Sequence, residues 1–373
     1  MPSDRPRILI VGCGGIGGVT ASHLLATGHD VTVLCRNEHV RAALQTRGFR
    51  VQGATSLHRV PSHKLLAELT ADAGRFDYVL LCTQPPEVES AARAVSGALT
   101  EHGRVVCLQN GLCEPRVAKI VGDSRVLGAV VMWGASMPEP GVYDRTSGGG
   151  FVLGALQLAD NELPLRQLAE ALSNVGPVFV TQNLLGARWS KLAINCAIST
   201  LGTIAGQRLG ALLLDRKARS LASEIIDEVV NTAQAAGVKL EKVPGLVDVR
   251  LMASSGHSSA FGRALGTVSC HAVLLGMGLR YRRLRSSMLA AIERSRPAAV
   301  DFLNGEVVEC AARHGASAPV NRAAVDAVHE IAAGRRRSSW LALHDLFQRT
   351  RGTTPAVAVQ GNTHQESSEQ ERS

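Results

Sequence analysis

The chain has 373 residues, 45% hydrophobic and 19% charged, which excludes a disordered polyelectrolyte and allows two domains, each with its own core. Aromatic residues are only 3% of the total, which argues against binding single-stranded nucleic acid by base stacking. The net charge of +8 is mostly spread along the chain and suits a small anionic ligand.

In chain order, "RILIVG", "DVTVLC", "YVLLCT", "RVVCLQ" and "RVLGAVV" read as near-continuously apolar strands, as expected when helices cover both faces of a sheet. Helical segments separate the first of them. The fold class is therefore α/β, with an N-terminal Rossmann-like doubly wound sheet over residues 1–183. The stretch "GVYDRTSGGGFVLGAL" shifts to strands and Gly-rich turns that would extend or edge that sheet. From residue 184, helical periodicity dominates over Arg188–Leu201, Arg216–Ala236, Ser286–Ala312 and Val320–Ala333, which predicts a mainly α-helical C-terminal domain over 184–348. Residues 349–373 are polar, aperiodic and Pro-interrupted, as in a disordered tail.

The clusters "RYRRLR" and "GRRRSS" read as solvated helix faces or helix ends rather than a nucleic-acid site. The eight cysteines form no CxxC pair, which fits free thiols in a reducing, cytoplasmic setting. The first apolar run lacks the leader of a secretory signal. The longest, Leu265 to Leu279, is too short and too broken to span a bilayer. No metal-ligand spacing is evident, so no metal is expected.

"GCGGIG" places Gly12, Gly14 and Gly17 in GxGxxG spacing, with Cys13, Gly15 and Ile16 between them. The motif follows a strand and opens a helix. Its glycines allow a tight turn, close approach to a pyrophosphate and close helix–strand packing. At the end of the second strand an acidic residue would favour NAD; Arg36 stands there instead and suits a 2′-phosphate, so NADP(H) is the expected cofactor. Gln84 and Asn110 end two further strands, on the side where ligands bind such sheets.

"RWSKLAINCAIST" raises the question of Lys191, a cation in a largely apolar helix. Lys191, Asn195 and Ser199 are spaced i, i+4 and i+8, so they share one helix face at the opening of the second domain. Two readings of the lysine stand open. It either snorkels to solvent or supplies a proton to an oxygen that gains charge as hydride arrives.

The combination of "GCGGIGG", "CR", "LQNGL", "RWSKLAINCAI" and "SSMLAAIERSRPAAVDFLNGEVVECAARHGASAPVN" resembles the ketopantoate reductase (2-dehydropantoate 2-reductase) family, over about Arg7 to Ala333. The resemblance implies NADPH-dependent reduction of 2-dehydropantoate to (R)-pantoate, a step of pantothenate biosynthesis. It implies Lys191 as general acid and Asn110, Asn195, Ser199 and Ser287 as substrate-binding residues. Gly12 to Gly17, Arg36, Gln84 and Asn110 would meet the cofactor.

The chain also departs from the family pattern. Ala299 stands where the family has glutamate, Gln84 where lysine is usual, Ser199 where a second asparagine is usual and Leu284 where a polar residue is usual. A reductase of another 2-oxo acid is therefore the rival reading, and a non-catalytic NADP-binding protein a more distant one. The expected partner is a small 2-oxo acid, with no nucleic acid and no membrane, and the helical domain could pair in a homodimer.

Overall fold

The structure, a computed structural model, describes residues 5–61, 64–253 and 260–352. The chain opens with β1 (Arg7–Val11), α1 (Gly15–Ala26), β2 (Asp30–Leu34) and α2 (Glu38–Arg47). The strands β3 (Phe49–Gly53), β4 (Leu57–Val60) and β5 (Leu65–Leu66) follow. Next come β6 (Phe76–Leu81), α3 (Val88–Val95), β7 (Leu99–Cys107), α4 (Glu114–Val121) and β8 (Val126–Val131). The first half closes with β9 (Ala135–Glu139), β10 (Val142–Arg145), β11 (Phe151–Ala155), α5 (Glu162–Ser173) and β12 (Val178–Val180).

Eight of these strands form one sheet in the order β12-β11-β8-β7-β6-β1-β2-β5. Neighbours are parallel except β8 and β11. All residues of β8 and β11 are buried, because apolar clusters cover both faces of the sheet.

The expectation for the Gly-rich stretch holds only in part. β11 joins the main sheet, but β10 belongs to a second, four-stranded sheet of order β4-β3-β10-β9. Long-range packing decides this. The fully buried Tyr143 stacks on Phe49 with ring centroids 5.9 Å apart, and its hydroxyl donates to the Cys13 carbonyl at 3.3 Å.

The remaining elements are α6 (Leu184–Ala205), α7 (Leu209–Leu214), α8 (Arg216–Ala235), α9 (Ala260–Arg280), α10 (Ser287–Ile292), α11 (Asn304–Arg313), α12 (Pro319–Ala332) and α13 (Trp340–Gly352). The single helix expected over 286–312 is two helices. Pro297 lacks an N–H and pushes its predecessor out of helical backbone, and Ser295 has a φ of 55°, so the chain turns before α11. Residues 349–352 continue α13, and the rest of the expected tail, 353–373, lies outside the described residues.

α6 is the spine of the helical half, surrounded by α8, α10, α12 and α13. Each of its buried Leu and Ile side chains contributes about 1.5–3 kcal/mol. A buried polar chain fixes its far end. Thr200 donates to Asn304 at 2.5 Å, Asn304 to Asn321 at 2.9 Å, and Asn321 to Glu228 at 2.7 Å.

The cluster after α12 is a helix end, as expected: Gly334 has a φ of 71°, and the N–H groups of Arg335 and Arg336 donate back to the Glu330 carbonyl. All eight cysteines are free, and among the described residues no helix is long and apolar enough to cross a membrane.

Candidate active site

Three strands end level with one another, since Val11 lies opposite Leu81 and Leu81 opposite Cys107; β8, which meets Cys107 at Gly128, runs three residues further, to Val131. The residues beyond the first three, Gly12, Cys82 to Gln84 and Gln109 to Asn110, form with Val131 a rim at the carboxyl ends of β1, β6, β7 and β8. That rim is where ligands bind an open α/β sheet.

The glycine turn is built from below and open above. Gly12 has a φ of 101°, and a Cβ there would lie 3.2 Å from the backbone of Cys82 and Thr83. A Cβ on Gly17 would lie 2.0 Å from the Gly12 carbonyl oxygen, and one on Gly15 would lie 2.5 Å from that of Ala135. Gly14 is different, since a Cβ there would meet nothing within 4 Å. The exposed Gly14 is the N-cap of α1, without a side-chain cap, and no acidic residue stands in the first turn. Uncapped N–H groups at a helix N-terminus, with open space in front, fit a pyrophosphate. Cys13 is buried beneath the turn, while Gly15 and Ile16 are partly accessible on it.

Arg36 is exposed where β2 ends. Asn37 caps α2 by accepting from the Val40 N–H at 3.0 Å, and Arg41 donates to the Cys35 carbonyl at 2.9 Å. Arg41 is a cation next to Arg36 that sequence spacing did not single out. Gln84 and Asn110 are both exposed at their strand exits. Beside them Gln109 donates to the Thr83 hydroxyl at 3.2 Å, tying the exits of β6 and β7 together. The turn after Asn110 is pressed against the second half of the chain, since a Cβ on Gly111 would lie 2.4 Å from the Phe302 carbonyl oxygen.

α6 meets this rim with two cations. Arg188 is fully buried, donates to the Glu114 carboxylate, and also donates to the carbonyls of Gln109 at 2.8 Å and Cys107 at 2.7 Å. One turn later the Lys191 Nζ donates to the Val131 carbonyl at 2.5 Å. Among the described residues no carboxylate pairs with it. Burial, and secondarily the Arg188 guanidinium, push the Lys191 amine down to about 7. The two cations thus differ: Arg188 is paired with a carboxylate, while Lys191 meets a backbone carbonyl and its amine is pushed down by burial.

The accessible surface of α6 sets Lys191 in a narrow, largely polar stripe. Of residues 186–205, only Lys191, Asn195, Ile198 and Ser199 remain partly accessible. They are spaced i, i+4, i+7 and i+8, a single stripe on an otherwise buried helix. Within it the Asn195 Nδ2 is buried without a hydrogen-bond partner, which calls for a ligand or water.

Ser286 caps α10, donates to the Ser199 carbonyl at 2.8 Å and shares a hydrogen bond with Thr203, while Ser287 is exposed next to it. Ala299 is partly buried, in the turn that leads to Phe302. Ile198 was missed in the sequence although its spacing was visible. Glu114 could not have been found, because its partner lies 74 residues away.

The ketopantoate reductase PanE/ApbA profile matches residues 8–157, and the ketopantoate reductase PanE/ApbA C-terminal profile matches residues 183–332. The 2-dehydropantoate 2-reductase of Pyrococcus horikoshii is 26% identical over 317 residues, 84% of this chain and 94% of that one. A PanE/ApbA family ketopantoate reductase from Ralstonia eutropha shares the fold with a TM-score of 0.72 and 24% identity, over 88% of this chain and 99% of that one. D-mandelate dehydrogenase, solved with NADH and anilino(oxo)acetate, shares it with a TM-score of 0.73 and 19% identity, over 88% and 98% of the two chains. With one profile on the sheet and its counterpart on the helices around α6, this protein belongs to the ketopantoate reductase family and is an oxidoreductase acting on CH–OH groups.

Proposed function

We propose that the chain uses NADPH to reduce the keto group of a small 2-oxo acid, 2-dehydropantoate to (R)-pantoate, with Lys191 as general acid. The observation that carries this reading is the accessible stripe on α6, where an ammonium meets the end of β8 with no counter-carboxylate among the described residues, and an unpartnered amide lies one turn further on. The curated relative from Pyrococcus horikoshii, named for that reaction, supports the choice of substrate.

When bound, the reduced nicotinamide supplies a hydride. The chain's own residues do the rest. The turn from Gly12 to Gly17, with Cys13, Gly15 and Ile16, would cradle the pyrophosphate, and Arg36 would pair with the 2′-phosphate. Gln84 and Asn110 would border the cofactor at the strand exits, Asn110 also touching substrate. Asn195, Ser199 and Ser287 offer donors to the substrate's carboxylate and hydroxyl oxygens. Lys191, held by the Val131 carbonyl, gives its proton to the keto oxygen as negative charge builds there.

A second reading has its own support. Ile198 lines the stripe, Ala299 is small, and Leu284 is 46% exposed, which would suit an acid with a larger apolar arm. The fold relative solved with anilino(oxo)acetate shows that this architecture accepts an aryl ligand in that protein.

The test is turnover of the purified protein with NADPH or NADH against a panel of 2-oxo acids. The expected result is highest kcat/KM for 2-dehydropantoate with NADPH, and a preference for NADPH that narrows about tenfold in Arg36→Ala. An aromatic acid in first place would install the second reading. Tight NADPH binding with no turnover on any acid would remove the enzymatic one.

The rate should also depend on pH in a defined direction. A general acid must carry its proton, and the Lys191 amine loses it above about 7. Reduction, measured as kcat/KM, should therefore fall about tenfold per pH unit above that point, while the reverse oxidation, which needs the neutral amine, should rise to a plateau. A reduction rate that stays level from about pH 6 to about pH 9 would take Lys191 out of the mechanism.

A further inference from the structure

Arg188 and Glu114 neither bind ligand nor move a proton in the mechanism above, yet their side chains are 1% and 0% exposed. Burying an ion pair gains little stability, because loss of hydration offsets most of the attraction. Its placement needs another account, and three observations supply one.

First, the guanidinium is spent on Glu114 and on the carbonyls of Cys107 and Gln109, so it pins α6 to the exit of β7, next to Asn110. Second, room for the carboxylate is made by Gly128 of β8, where a Cβ would lie 2.3 Å from the Glu114 Oε1. Third, Arg188 stands one helical turn before Lys191 and is the charged group that bears on its amine.

Among the described residues, no charged group other than Arg188 bears on the Lys191 amine. β8, β11, α7 and α10 contain no ionisable side chain. On α8, Glu228 accepts from the N–H groups of Val320 and Asn321, and Glu224 pairs with Arg351. On α12, Arg322, Asp326 and His329 are exposed, and Glu330 pairs with Arg336 and Arg349. On α13, Asp345 pairs with Arg336 and His344 with Asp215. Asp248, just before the short helical turn Val249–Leu251 that touches α6, pairs with Arg250.

We propose that the Arg188–Glu114 pair is the positioning device of this active site: Arg188 sets the register of α6 against the strand exits, and Glu114 neutralises that guanidinium so that Lys191 can keep its proton beside it. The proposal rests on the reading of Lys191 as proton donor, and the experiment separates the two. In Glu114→Gln the amide oxygen can still accept from Arg188, but the guanidinium loses its balancing charge.

The pH above which kcat/KM for reduction falls should then move down by roughly one unit. Glu114→Asp should bring it back to the parent position, even at a lower rate. The double variant Arg188→Met with Glu114→Gln, which removes both charges and guards against misfolding of the single variant, should move it back up from the Glu114→Gln position, to the parent position or above. A pair with a merely structural role would lower the rate or Tm and leave both the position of the fall and the titration of the Lys191 amine unchanged in all three proteins. That combined result overturns the proposal.

The Lys191 amine is read independently by NMR titration of the reductively 13C-methylated protein, with Lys191→Arg used to assign the resonance. If its titration shifts in the stated directions while the rate profile does not, the pair positions Lys191 and the proton-donor reading falls. If neither shifts, the positioning claim itself is wrong.

Discussion

Replacing Lys191 by alanine is expected to lower kcat for 2-oxo acid reduction by about 10²–10⁴-fold, the usual worth of a positioned general acid. Binding of NADPH, followed by fluorescence, should change little, because the glycine turn and Arg36 follow β1 and β2 whereas Lys191 stands on α6. Thermal stability should hold or rise, since a cation with a backbone carbonyl and no counter-carboxylate leaves a largely apolar helix. Lys191→Arg should be nearly as inactive, because a guanidinium keeps its charge and does not give up a proton. Retention of more than about a tenth of the parent kcat in Lys191→Ala would show that another group, or water, protonates the keto oxygen.

The second large effect belongs to the glycine turn, where two neighbouring substitutions should behave in opposite ways. In Gly17→Ala the new Cβ would lie 2.0 Å from the Gly12 carbonyl oxygen and 2.9 Å from the Cys82 Cβ, so backbone must shift. Overpacking of this kind costs about 1–3 kcal/mol, and the displaced turn no longer presents its N–H groups. A lower Tm together with at least about a tenfold loss of NADPH affinity is expected. In Gly14→Ala the Cβ meets no protein atom within 4 Å, and the backbone φ of −72° suits alanine. Its Tm should match the parent, yet affinity should fall about tenfold because the methyl enters the space in front of the helix N-terminus. Unchanged affinity in Gly14→Ala would mean that the dinucleotide does not approach the turn there.

Much of this arrangement was legible in the residues. The five apolar strands could be recognised because helices cover both sheet faces, so no alternation interrupts the runs. The glycine motif carried its own context, a strand before it and a helix after it. Lys191, Asn195 and Ser199 could be placed on one face from helical spacing alone, and the exposed stripe on α6 follows that face.

Other features were not legible, for physical reasons that differ. Apolar periodicity continues across Pro297, so residues 286–312 looked like one helix although the proline breaks it. β10 has the composition of an edge strand of the main sheet, and its partner β3 lies far earlier in the chain. The Arg188–Glu114 pair joins residues 74 apart, and a lone carboxylate before a proline in "LCEPRV" gives no local sign of it.

Local order therefore settled which residues could serve: backbone freedom at the glycines, a guanidinium where an acid might have stood, and a polar stripe on an apolar helix. These depend on neighbours a few residues away, so they are written in spacing. Burial and charge balance belong to residues brought together from distant parts of the chain. Only the folded protein decides that Arg188 is paired with a carboxylate while Lys191 meets a carbonyl and, among the described residues, no carboxylate, because the energy of a cation depends on what surrounds it in space.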